Sequence, residues 1–151
     1  MKFTPSKINW FLLFKLPAAF FCGVRVKHIE LHTCETKVSH RWINQNPFNS
    51  LYFAVQAMAA ELSTGALVMQ HIKESNQNIT MLVANQNGSY SKKATGTIIF
   101  KCEDGQKVQD AISETLKTGE GVTFWMTSTG TDAQGDIVSV SEFEWRIKAK
   151  S

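Results

Sequence analysis

One carboxylate stands out by its setting. The stretch Ser50 to about Ile72 (SLYFAVQAMAAELSTGALVMQHI) reads as a helix that is apolar on every side, yet it carries Glu61 near its middle. A surface helix keeps a polar face toward water, so a helix without one must be wrapped by the rest of the chain. A charge on it has to be neutralised, paired or turned toward a cavity, because an unpaired buried charge is strongly unfavourable. A carboxylate so placed can activate a water or attack a carbonyl carbon. The start of the same helix, around Phe48, Asn49, Ser50 and Leu51, would present unpaired backbone N–H groups and the positive end of the helix dipole, donors able to polarise a carbonyl oxygen.

Each of these residues also has a structural reading. Glu61 can bond a buried polar group or a second copy of the chain. Asn46 can shape the turn before Pro47, and Asn49 and Ser50 can cap the helix. Ser63 and Thr64 follow Glu61 closely and can bond a carboxylate or a water, or bond back to the helix backbone.

Other chemistries find less support. His28, His32, His40 and His71 have neither ligand spacing nor partners, so no metal site is expected. There is no GxSxG elbow and no reactive-cysteine pattern. Cys22, Cys34 and Cys102 are an odd number without a CxxC pair, which argues against a disulfide framework and for a reducing, cytoplasmic compartment. A net charge of +3 is too small for a dedicated nucleic-acid binder, although it suits a phosphate-bearing ligand. Lys92 and Lys93 are the cations singled out for such phosphates, against the plain reading of a solvated loop.

The elements that must hold Glu61 can be read along the chain. The apolar run Ile8–Val24 is interrupted by Lys15 and Pro17 and is too short to span a bilayer, so no stable membrane anchor is expected. Instead Thr4 and Pro5 can open a helix over about residues 5–16, with Ile8, Phe11, Leu12 and Leu16 on one face. The aromatics Trp10, Phe11, Phe14, Phe20 and Phe21 then cover the core or wall an apolar tunnel.

Val24 to His40 alternates in two pieces, as a hairpin does, and Arg41–Asn49 has no period. After the apolar helix, at about 50–72, come a strand Ile79–Gln86, a turn at Asn87-Gly88 and a strand Ala94–Cys102. An amphipathic helix ending at Gly119 and two last strands, Val122–Thr129 and Ile137–Lys148, complete the order. Residues 1–151 therefore read as one α+β domain. A curled antiparallel β-sheet wraps the long central helix, with an N-terminal helix and a helical insertion between late strands.

That order resembles the hotdog fold. Asn46-Pro47-Phe48-Asn49-Ser50 leading into Ala60-Glu61-Leu62-Ser63-Thr64-Gly65 is similar to a bacterial branch of the hotdog acyl-CoA thioesterases, near the phenylacetyl-CoA thioesterase-like group. The resemblance runs from the first helix to Lys148. It implies thioester hydrolysis with coenzyme A as part of the substrate and no separate cofactor. It further implies a homodimer or homotetramer with each site at the dimer interface.

The resemblance makes Glu61 the acid of that site and lets Asn46 position the water. Phe48, Asn49, Ser50 and Leu51 stand where the family carries a His-Gly-Gly donor segment, and Thr64 lies beside the site. The same fold can also hold acyl-CoA or a fatty acyl ligand without cleaving it, which is the alternative function. A hotdog dehydratase would bring a histidine beside its acid, and this chain has none near the helix except His40.

Overall fold

Pro17 decides how the chain begins. It cannot continue a helix through its own position, so the first helix, α1 (Pro5–Lys15), stops at Lys15, and Pro17 opens a second, α2 (Pro17–Phe21). Thr4 caps α1 as its sequence predicts, its hydroxyl accepting from the Lys7 amide. The computed structural model describes residues 3–151, so Met1 and Lys2 of the expected 1–151 domain lie outside the described residues.

Two paired strands follow, β1 (Arg25–Ile29) and β2 (Cys34–Ser39), in register Arg25↔Lys37 to Ile29↔Cys34. The long helix is α3 (Phe53–Ser75). After it come β3 (Ile79–Tyr90), β4 (Thr97–Cys102), α4 (Gly105–Thr118), β5 (Val122–Thr131) and β6 (Ile137–Ala149). The six strands form one antiparallel sheet in the order β1-β2-β4-β5-β6-β3.

The sheet grips α3 as the apolar helix requires. Val55, Ala59, Ala60, Leu62, Ala66, Leu67 and Val68 of the helix are buried with Phe100, Ile98, Met126 and Ile147 of the strands. Several polar groups caught inside are paired, while Gln56 Oε1 and Ser139 Oγ are buried without a partner among the described residues. The Thr36 hydroxyl donates to the Ala59 carbonyl at 2.6 Å, Ser63 and Ser128 share a hydrogen bond of 2.7 Å, and the Trp145 indole donates to the Thr64 hydroxyl at 2.9 Å. At the far end of α3, Gln70 and His71 reach the carbonyls of Glu30 and Leu31 and pin the β1–β2 connection.

Two expectations are corrected. Asn87-Gly88 is not a turn: β3 runs straight through it, with Asn87 opposite Glu142 and Gly88 opposite Ser141. A long ladder with β6 outweighs the local preference, and Gly88 does not take the left-handed backbone that such a turn needs. The long helix starts three residues later than position 50. Asn49 sits at φ 59°, and Leu51 bridges to Gln45 and donates its amide to the Ala94 carbonyl at 2.8 Å. The helix is therefore preceded by Tyr52 with no side-chain cap, and Asn49 and Ser50 do not cap it.

Gly105 opens α4 where it crosses the β1–β2 connection. A Cβ there would lie 2.4 Å from the His32 Cα and 2.5 Å from the Leu31 carbonyl oxygen, both backbone atoms with no freedom to swing away. Gly105→Ala should therefore lower the unfolding free energy by about 1–3 kcal/mol, read as a fall in the urea midpoint at unchanged slope.

Candidate functional site

Glu61 lies two turns into α3 with its carboxylate between two apolar cavities. One, of about 410 Å³, is lined by Leu16, Ala18, Ala19, Phe53, Ala54, Ala57, Met58, Gln86, Tyr90 and Phe143 besides Glu61. The second, of about 190 Å³, brings Phe11, Leu12, Lys15, Gly65, Met69, Met81 and Trp145 to its other side. Leu16, at the break between α1 and α2, borders both cavities. The N-terminal helices are thus the roof over the acid, the role their apolar face predicts.

Among the described residues no donor reaches the Glu61 carboxylate, whether cation, hydroxyl or amide. Burial alone pushes its carboxyl up from 4.5 to about 7. Space for it comes from Gly65, one turn on. A Cβ there would stand 3.4 Å from Glu61 Oε1 and 3.1 Å from the Trp145 ring. A glycine four residues after the acid, on the same helix face, was the sequence signal for this part of the site.

The remaining sequence candidates are arranged differently from expectation. The Asn46 side-chain oxygen accepts from the Phe48 and Ser50 amides at 2.9 and 3.2 Å and from the Ser50 hydroxyl, and its Nδ2 meets Ser50 Oγ at 2.9 Å. Asn46 builds the loop and borders neither Glu61 cavity. The amides of Phe48, Asn49, Ser50 and Leu51 are all spent, on Asn46 and on Ala94, so the expected donor set is corrected. Thr64 is fully buried, donates to the Glu61 carbonyl at 2.8 Å and lines neither cavity. It is corrected from a substrate contact to a prop for Trp145.

Lys92 is corrected as well. Its ammonium bonds Asp132 at 2.7 Å and Asp136 at 2.8 Å, locking the β5–β6 turn, and these carboxylates hold it charged. Lys93 reaches the Phe48 carbonyl at 3.3 Å and has no carboxylate partner among the described residues.

The free donors are instead Phe53 and Ala54. As the first residues of α3 their amides have no acceptor among the described residues, and both residues line the larger cavity. The sequence pattern does not reveal them, because the apolar run extends three residues before the helix begins. Eight residues of helix rise separate Phe53 from Glu61, about 12 Å. One chain therefore cannot hold a single carbonyl between its own Phe53 amide and its own carboxylate.

A family model described as Domain of unknown function (DUF4442) matches residues 5–147. Among curated proteins, none matches the sequence. Solved structures agree in fold over nearly the whole chain. A Pseudomonas aeruginosa protein of unknown function described as "Probable Thioesterase" is 19% identical, with a TM-score of 0.83 over 99% of both chains. A Chlorobaculum tepidum protein of unknown function is 15% identical, with a TM-score of 0.82 over 97% of this chain and 98% of that one. A thioesterase from Haemophilus influenzae is 11% identical, with a TM-score of 0.73 over 99% of this chain and 93% of that one. The hotdog fold implied by the sequence resemblance is the fold of this chain.

The raised Glu61 carboxyl has a consequence for stability. Its proton is held more tightly in the folded than in the unfolded chain, so its contribution is complete below about pH 4.5 and is lost as the pH rises through about 7. Glu61→Gln should match the wild type in urea unfolding near pH 4 and exceed it by roughly 3 kcal/mol above pH 7.

Proposed function

The chain belongs to the family described as Domain of unknown function (DUF4442), and from that starting point we propose that it is a thioester hydrolase acting on acyl-CoA. The observation that carries this reading is an unpartnered carboxylate, Glu61, set between apolar cavities under a helical roof. A structural acid would be bonded. This one has space beside it and a carboxyl whose affinity for protons suits a base working near neutral pH.

In the proposed reaction an apolar acyl chain fills the larger cavity. Glu61 takes a proton from water as the water attacks the thioester carbonyl, and the thiolate of coenzyme A leaves with a proton. The developing oxyanion needs donors, and the unpaired amides of Phe53 and Ala54 at the positive end of α3 are suited to it. Because about 12 Å of helix separates these amides from Glu61 within one chain, the donors at Glu61 would come from a second copy.

A two-fold dimer supports this reading, since it can bring the start of one α3, with its Asn46 loop, to the Glu61 of the other. The sheet also offers a place to join. β3 is an edge strand of 12 residues paired only with β6, and Leu82, Val83 and Tyr90 lie exposed along it. Of the two lysines in the segment after β3, Lys93 is the cation left for a phosphate of coenzyme A.

Thiol release from short, long and aromatic acyl-CoA thioesters tests the proposal. Wild type should turn over at least one class, with kcat/KM rising as the pH passes about 7. Glu61→Gln should fall about a hundredfold while keeping its fold. Undiminished turnover in folded Glu61→Gln would sink the role given to the acid. Wild type inactive on every substrate, but purifying with a bound acyl ligand, would establish the non-catalytic binder instead.

A further inference from the structure

The outer face of α1 and α2 is an exposed apolar surface with no partner among the described residues. Ile8 and Leu12 turn inward and are buried. On the opposite side Lys7, Trp10 and Phe14 stand at the i, i+3, i+7 spacing that makes one stripe. Trp10 is 64% exposed, Phe14 70% and, beyond the Pro17 break, Phe21 60%. The Trp10 and Phe14 rings lie nearly parallel, 8° apart, with centroids 6.0 Å from each other. A helix that is oily inward and outward alike is unusual at a water-facing surface, and patches of this kind mark interaction sites.

The charges around the patch indicate what covers it. Lys2, Lys7, Lys15, Arg25 and Lys27 all precede the first acidic residue of the chain, Glu30. Of these, Lys7, Lys15 and Lys27 are exposed. A second copy meeting this face with its own would set cations against cations. Lys27 is paired with Glu35 at 3.8 Å, which leaves Lys7 and Lys15 beside the rings, and helices that carry aromatics and lysines but no acid have the composition of a segment lying in the headgroup region of an anionic bilayer. Each lysine near such a surface strengthens binding by about fivefold.

We infer that the α1–α2 face docks on an anionic lipid bilayer, with Trp10 and Phe14 inserted and Lys7 and Lys15 against the headgroups. The helices lie on the membrane and do not cross it. Among the described residues no helix is long and apolar enough to span, and α1 is about 16 Å long. The other side of the same two helices, through Phe11, Leu16, Ala18 and Ala19, walls the Glu61 cavities. Docking would thus place the cavities beside lipid acyl chains and, if the thioesterase reading holds, favour long-chain thioesters partitioned into the bilayer.

The test is flotation with vesicles of phosphatidylcholine plus phosphatidylglycerol, against phosphatidylcholine alone, beside light scattering of the free protein. Wild type should float with the anionic vesicles and be released by high salt. The double variant Trp10→Ser/Phe14→Ser and the single variant Lys7→Glu should each partition at least about tenfold less. Both change exposed residues, so their thermal unfolding should match the wild type, and hydrolysis of a short soluble thioester should not change.

Absence of flotation, or equal flotation of wild type and both folded variants, overturns the inference. So does a fall in solution mass on Trp10→Ser/Phe14→Ser without vesicle binding, which would make the face a self-association surface. Vesicle binding is read without turnover, so either outcome leaves the thioesterase reading to its own test.

Discussion

The structure depends on enclosing a 23-residue helix that has no adequate polar face. Such a helix is stable only where something else removes it from water, and one sheet does so on most sides by curling around it. Enclosure then acts on every polar group the helix carries. Ser63 and Thr64 meet partners inside, on Ser128, Trp145 and the helix's own carbonyls. Glu61 meets none, and its carboxyl answers by holding a proton far above the ordinary carboxylate range. The reactivity proposed for it is a by-product of the packing that stabilises the fold.

What finishes the enclosure is the N-terminal roof. The sheet leaves one flank of α3 open at Glu61, and α1 and α2 close it with Leu12, Leu16 and Ala19. The break at Pro17 lets two short helices bend over the acid where one straight helix would pass it by. The smaller cavity keeps its space because Gly65 contributes no side chain and Trp145 is tied to Thr64. Roof and cavity wall are thus two sides of the same pair of helices.

The segment before α3 shows how a side-chain network can overrule helix preference. Asn44 ties it to the carbonyls of Cys22 and Ser39, and Asn46 folds Phe48 to Ser50 into a tight loop. The bond from the Ser50 amide satisfies a donor that a helix beginning at Ser50 would have left bare. The unpaired amides move to Phe53 and Ala54, which face cavity space. A carboxylate and a set of amides on one straight helix, two turns apart, are close in sequence and still too distant to share an atom.

Local chemistry was enough to determine the N-terminal helix and its cap at Thr4, the β1–β2 hairpin, the α4 helix with its stop at Gly119, and the last two strands. Each depends on periodicity and terminal residues within a dozen positions. It also determined that Glu61 is an anomaly, since an acid on an apolar helix is a contradiction visible without coordinates. The start of α3, the passage of β3 through Asn87-Gly88 and the pairing of Lys92 with Asp132 and Asp136 were decided by tertiary structure. Their partners lie about forty to fifty-five residues away in the chain, and contacts that distant outweigh a turn or cap preference while leaving no local pattern to read. The identity of the bare amides belongs with them, because it follows from where the helix begins.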